Sequence, residues 1–522
     1  MTQTPVPADR DVLDMPSLDA IVEAASWTAK LGPLTDADVA RMRESGAVVD
    51  RYLAEGKPVY GLTQGFGPLV THSAKSEMEQ GNSLISHLGT AQGRPVDPDA
   101  SRLVFWLRLN SMRKGFSAVS PDFWERLADL WNAGFTPVIP RDGTVSASGD
   151  LQPLAHVALA CSGHGEAWVR DARGAWSVRP AAEALAELGA QPLEWPVREA
   201  LAFVNGTGVG LAVSILNQRS ALRLVRAVAS LTARLTVLLG GNAEHYDEGV
   251  GLARGQVGQL RAARWIRADL PGDHLRDERR PLQEPYSLRC APQVLGAALD
   301  QLEAAGTFLL REANGVTDNP ITFEGRVLHA GNFHAMPVGF ASEQTGLAMH
   351  MAAYLAERQL ALLVSPTTNG DLPIMLTPRA GRGAGLAGVQ ISATSFISRI
   401  RQLVTPASLT TLPTNGWNQD HVPMALNSAN GVGEALELGW LAVGSLALGA
   451  AQLAVMTERE AQTAGVWAEL AGISPALEAD RPMAGEVRAA AVLLRDHAEG
   501  LLGADAERLL GTDAEGLLGD AA

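Results

Sequence analysis

The sequence predicts a mostly α-helical protein organised round a bundle of long helices. Three observations carry this. Five helical runs, at 210–239, 292–314, 340–363, 388–403 and 431–464, dominate the second half of the chain. Gly and Ala recur within them and allow close helix approach. Strand signals almost vanish beyond Glu199. Helices that are apolar most of the way round must be covered on all sides, which one chain of 522 residues does poorly, so a homo-oligomer is expected.

The elements follow in order. A short helix is expected at 17–27, after Pro16. A clearer one runs 35–55, with Thr35 as cap, Asp38 three residues on, and a stripe of Val39, Met42, Val49 and Leu53. Gly56 and Pro58 stop it. Val59–Gly67 is punctuated by glycine and reads as a loop holding Tyr60. Helical patterns return at 77–93, carrying His87 and Leu88, then at 101–114, 122–133 and 154–162. Residues 165–180, with Trp168 and Trp176, read as a hairpin flap without chemistry. Near the C-terminus, Leu-Leu-Gly recurs at 501–503, 509–511 and 517–519 within an acidic repeat, read as a frayed or loosely docked tail. The domain reading is 1–205, an N-terminal domain, 206–480, the bundle, and 481–522, a C-terminal helix and tail.

Composition narrows the classes. Hydrophobic residues at 46% and charged residues at 19% describe a globular chain. A net charge of −15 argues against nucleic-acid partners. Cys161 and Cys290 give neither metal-ligand spacing nor a disulfide framework. The N-terminus is polar and acidic, without the order of a signal peptide, so a cytoplasmic setting is expected. Leu438–Met456 carries no charge and is nearly long enough to span a membrane. It is flanked by Glu434, Glu437, Glu458 and Glu460, and reads as a buried bundle helix, not a membrane segment.

One tight stretch carries the chemistry. Ala147-Ser148-Gly149 lies between Gly143 and His156. Small residues let a backbone fold on itself, and glycine does so at least cost. In such a bend the Gly149 nitrogen can reach the Ala147 carbonyl carbon. Closure with loss of one water gives an imidazolone; loss of a second, from Ser148, gives an exocyclic methylidene. That product is an electrophile no ordinary side chain supplies. By itself the triplet reads as an ordinary small-residue loop, and only the rest of the chain overturns that reading. Further polar loops break the helical pattern: 203–207, 283–290, 317–320, 329–334 and 415–421. Each is a plausible cap or turn. Together they offer Arg, Tyr, Asn and Gln at helix ends. Arg289 suits a carboxylate, which a guanidinium binds bidentately, and equally suits a structural ion pair.

Taken together the motifs resemble the histidine/phenylalanine/tyrosine ammonia-lyase and aminomutase family. The resemblance covers roughly residues 15–480. It rests on YGLTQGFG from Tyr60, ASGDLQPLAH from Ala147, VNGT from Val204, YSLRCAPQ from Tyr286, TDNP from Thr317 and NQDH from Asn418. It implies the mostly α, long-helix ammonia-lyase/fumarase-like fold, a homotetramer, and active sites built from several subunits. It implies a 4-methylideneimidazol-5-one group (MIO) made from Ala147, Ser148 and Gly149, with no external cofactor and no metal. Tyr60 matches the base that takes a β-proton, and Tyr286 the second active-site tyrosine. Arg289 would hold the substrate carboxylate, with Asn319 assisting. Asn205, Gln283, Phe333 and Gln419 would line the ring or the substrate.

The same resemblance implies elimination of ammonia from an aromatic L-amino acid, giving an arylacrylate such as p-coumarate. The alternative outcome is a tyrosine or phenylalanine 2,3-aminomutase making a β-amino acid. His87-Leu88 resembles the tyrosine type, since an imidazole can hydrogen-bond a phenol. The chain departs from the family pattern at Gln64, Ser146, Gln152 and Trp417. Gln64 and Trp417 are expected to reshape the pocket.

Overall fold

The computed structural model describes residues 14–67, 77–457 and 465–510, and helices dominate it. The described strands form three small antiparallel sheets. Gln92–Pro95 pairs with Pro140–Asp142. Glu166–Arg170 pairs with Trp176–Pro180 and with Thr136–Pro137. Ile321–Phe323 pairs with Arg326–Leu328. The expected hairpin flap is therefore present, with Trp168 opposite Val178.

The chain divides into two compact units. The first is Met1–Leu216, Gly306–Ala341 and Pro406–Asn430; the second is Asn217–Ala305, Ser342–Thr405 and Gly431–Ala522. This division does not follow chain order, unlike the sequential one read from the sequence. The last repeat, residues 1–13 and the acids at 458 and 460 lie outside the described residues.

In the first unit the capping box is formed as expected. Thr35 accepts from the Asp38 N–H, and Asp38 accepts from the Thr35 N–H, at the head of Asp36–Ala54. Aromatic rings hold the Val197–Val204 helix. Trp195 packs 5.0 Å from both Phe123 and Phe203, and Phe203 lies 6.1 Å from Phe105. Phe203 is fully buried, so these contacts fix the helix end that presents Asn205. The sequence reading missed this helix because its eight residues are too few to show a period.

In the second unit, small residues set the packing. Leu224, Val228 and Leu231 join Leu295, Leu299, Ala352, Ala356 and Leu446 in one buried cluster. Each leucine or valine among them contributes about 1.5–3 kcal/mol. Gly258 and Gly296 bring two helix backbones together, where a Cβ on either would run into the other chain segment. The long runs appear as Gly208–Leu239, Ala291–Ala313, Met336–Leu363, Ala387–Leu403 and Ala425–Thr457. Two described stretches, Val197–Leu239 and Ala425–Thr457, are long and apolar enough to cross a membrane, and both are mostly buried in the protein. The last helix, Ala484–Leu510, reaches into the first two Leu-Leu-Gly units.

Candidate active site

The bend at Ala147-Ser148-Gly149 is imposed by its flanks. Ser146 and Gly149 lie in the left-handed region, at φ 56° and 69°. A Cβ at 149 would run into the backbone of Gly206. A Cβ on Gly206 would meet the guanidinium of Arg108. Two glycines thus allow two backbones and a guanidinium to stack. Arg108 is buried and donates to the carbonyls of Phe203, at 3.0 Å, and Ala202. Burial pushes its pKa down, against the pull of Asp318 and Asp150.

Asp150 fixes the exit from the bend. Its N–H donates to the Gly206 carbonyl at 2.8 Å. Its carboxylate accepts from the Ser146 hydroxyl at 2.7 Å and from the N–H groups of Val209 and Gly210 at 3.1 and 2.7 Å. Those two begin the Gly208–Leu239 helix, whose free N–H groups and dipole favour an anion. Burial raises the Asp150 pKa, and these hydrogen bonds oppose the rise. The Ser146 hydroxyl also accepts from the Leu426 N–H at 3.1 Å. Thr144 accepts from the Ser146 N–H at 3.0 Å and donates to the Gly149 carbonyl at 3.3 Å. Ser146 is therefore part of the clamp.

Other groups converge on the triplet itself. The Gly149 N–H donates to the Phe333 carbonyl at 2.8 Å. Asn205 Nδ2 donates to the Ser148 carbonyl, and its Oδ1 accepts from the Asn319 N–H, both at 2.8 Å. Asn319 Oδ1 accepts from the Ala330 N–H at 2.7 Å, which leaves its amide nitrogen as a donor. Gln419 Nε2 donates to Ser148 Oγ at 2.8 Å. Gln419 is held because it exchanges backbone bonds with Thr414, at 3.0 and 3.3 Å, across a loop with positive φ at Asn415, Gly416 and Trp417.

These residues enclose a cavity of about 850 Å³. Tyr60, His87, Leu88, Ala147, Ser148, Gly149, Asn205, Asn319, Phe333 and Gln419 all line it. The Tyr60 hydroxyl accepts from the Gly67 N–H at 2.8 Å, and its ring meets Phe66 edge-on at 6.2 Å. His87 Nδ1 lies 2.9 Å from the Ser83 carbonyl. That contact needs a proton on Nδ1, so a neutral ring presents Nε2 as an acceptor.

Three expected site residues are placed elsewhere. Gln283, Tyr286 and Arg289 belong to the second unit and do not line this cavity. Tyr286 is 71% exposed and borders a hollow of about 550 Å³ with Tyr354 and Arg358. The Arg289 guanidinium lies 4.8 Å over the Tyr286 ring. Its buried Nε has no hydrogen-bond partner, and no ion pair involving Arg289 occurs among the described residues. The 850 Å³ cavity has no Arg or Lys among its described lining residues.

Two expectations need correction. Trp417 is 77% exposed and is not among the described residues that line the cavity. Gln64 does not line it either. Arg108 and the helix-capping role of Asp150 went unread. A charge inside an apolar helical stretch was the one available sign of Arg108.

A mostly helical chain with this cavity, closed round a strained Ala-Ser-Gly bend and a tyrosine, has the architecture of the aromatic amino acid lyases. A sequence model of that family, aromatic amino acid lyase, matches residues 17–479, and the chain belongs to it. Its similarity to solved structures has the same extent. Tyrosine aminomutase from Streptomyces globisporus is 30% identical, with a TM-score of 0.85, over 94% of this chain and 97% of that one. Histidine ammonia-lyase from Trypanosoma cruzi is 27% identical, with a TM-score of 0.82, over 96% of each chain. Pantoea agglomerans phenylalanine aminomutase is 26% identical, with a TM-score of 0.84, over 92% of this chain and 98% of that one.

Proposed function

We propose that this enzyme eliminates ammonia from an aromatic L-amino acid, with tyrosine favoured, giving an arylacrylate. The observation that carries the reading is the single cavity shared by the Ala147-Ser148-Gly149 bend, Tyr60 and His87. The residues fit an MIO group formed from the triplet. The Gly149 nitrogen sits in a bend that excludes any Cβ. Ring closure expels the Ala147 oxygen and retains the Ser148 carbonyl oxygen, where Asn205 already donates. Gln419 donates to the Ser148 hydroxyl, the group lost as the second water. When formed, the group would supply an electrophile for the substrate amine.

The chain's own residues would do the rest. Tyr60 would take the β-proton. An ordinary phenol has a pKa of about 10, so the Gly67 N–H, already aimed at its oxygen, would help hold the phenolate. Asn205 would stabilise charge on the retained carbonyl. His87 Nε2 would accept from the substrate phenol. Asn319 would donate to the carboxylate, and Arg289 would clamp it. Because the cavity has no cation of its own among its described lining residues, we propose that a second copy supplies Arg289 and Tyr286, within a tetramer.

A second reading is a 2,3-aminomutase, in which the ammonia adds back at the β-carbon. The match at 30% identity to a tyrosine aminomutase favours it. One experiment tests both. Intact mass should show the loss of two waters. Incubation with L-tyrosine, L-phenylalanine and L-histidine, followed by ultraviolet absorbance and amino-acid analysis, should yield an arylacrylate from tyrosine. A β-amino acid would establish the mutase instead. A full-mass chain that leaves all three substrates untouched would sink both readings.

A further inference from the structure

One polar group on the cavity wall has no task in the scheme above. Gln152 lies in the first turn of the Leu151–Cys161 helix and lines the same cavity as His87. Among the described residues its carboxamide has no hydrogen-bond partner; Asn205 and Gln419 donate to Ser148 and Asn319 Oδ1 accepts from the Ala330 N–H, while Asn415 and Asn418 line the cavity from a loop with their carboxamides equally unpaired. The cavity also has apolar wall from Leu84, Leu88 and Leu151. His87 comes from the Glu77–Leu88 helix, so the two side chains address a bound ring from different helices.

We propose that Gln152 is a second ring-reading residue, and that the cavity takes an arylalanine whose ring carries two adjacent hydroxyls. This rests on the arylalanine reading given above. One hydroxyl donates to His87 Nε2. The neighbouring hydroxyl meets the Gln152 carboxamide, which both donates and accepts. A bare phenyl ring would strip water from both groups and return nothing, and a site built to hydrogen-bond a ring substituent rejects the analogue that lacks it. The expected order of kcat/KM is 3,4-dihydroxyphenylalanine at or above tyrosine, with phenylalanine well below.

The test compares the full-length enzyme with Gln152→Leu, near in volume and without hydrogen bonds, and with the smaller Gln152→Ala. Initial rates are measured on L-3,4-dihydroxyphenylalanine, L-tyrosine and L-phenylalanine. Both variants should lower the dihydroxyphenylalanine-to-tyrosine ratio of kcat/KM by roughly tenfold, with tyrosine turnover largely kept. An active variant with an unchanged ratio overturns the proposal. A wild-type readout stands beside it, in case neither variant folds. Inhibition should be tightest for 3,4-dihydroxycinnamate, then 4-hydroxycinnamate, then cinnamate; equal inhibition by the first two overturns the proposal. A wild-type enzyme idle on all three amino acids removes the arylalanine reading itself. Turnover of tyrosine with no role for Gln152 removes this inference alone.

Discussion

Asn205→Asp is the sharpest single perturbation of the bend. The variant keeps the size and shape of a side chain that is only 4% exposed. One oxygen still accepts from the Asn319 N–H. The other replaces Nδ2 and faces the Ser148 carbonyl oxygen at 2.8 Å, acceptor against acceptor. Losing that bond and stranding the carbonyl costs about 1–3 kcal/mol. Burying a carboxylate adds to the cost unless it takes up a proton. A loss of about 2 kcal/mol lowers Tm by roughly 4–8 °C in a domain of a few hundred residues. Catalysis should suffer more. On the proposed ring closure the Ser148 carbonyl oxygen would be the one retained, and removing a donor aimed at developing charge costs about 10²–10³ in kcat. Calorimetry, intact mass and turnover of L-tyrosine measure the three effects separately. The expected result is a Tm loss of that size, with kcat down about a hundredfold in molecules that have shed two waters. A variant with wild-type Tm and kcat would refute the role given to Asn205.

Three further outcomes are expected. His87→Phe should move the kcat/KM ratio of tyrosine to phenylalanine toward phenylalanine by about tenfold or more, because the phenol loses its acceptor; an unchanged ratio refutes the assignment. Burial pushes the Asp318 carboxyl up to about 6 from 3.8, against the pull of Arg108. The folded state therefore binds the extra proton, and Asp318's contribution to stability is present below pH 3.8 and lost as pH rises through about 6. Asp318→Asn should flatten this part of the Tm profile between pH 4 and 7, and a slope as steep as wild type would contradict that origin. Co-expressed Tyr60→Phe and Arg289→Ala chains, each inactive alone, should recover about a quarter of wild-type activity if every site draws those two residues from different copies. No recovery in verified mixed oligomers would place both residues in one copy's site.

Much of the fold was legible because the long helices announce themselves. Gly208–Leu239 and Ala291–Ala313 begin within two residues of the expected starts. Ala425–Thr457 begins six residues before the expected 431, since Asn427, Ser428 and Asn430 break the apolar pattern that a sequence reading follows. Short elements were legible where a turn or a breaker marked them, as with Leu18–Ala24 after Pro16. Val197–Val204, with neither a capping side chain nor room for a period, was not.

The site was legible as chemistry and hidden as mechanics. The proposed reactive groups, Tyr60 and the triplet, stand out by residue type and motif. What holds them in place depends on partners distant in sequence, joined by single hydrogen bonds. Asp150 is 59 and 60 residues from the N–H groups it accepts from, and Ser146 is 280 residues from the Leu426 N–H. No local pattern encodes such a pair. The same argument explains why Gln64 and Trp417 misled: an unusual residue beside a motif is a neighbour in sequence, which does not make it a neighbour of the cavity. Gln152, two residues past Asp150, lines the cavity from the first turn of its helix, and the structure alone separates it from those two.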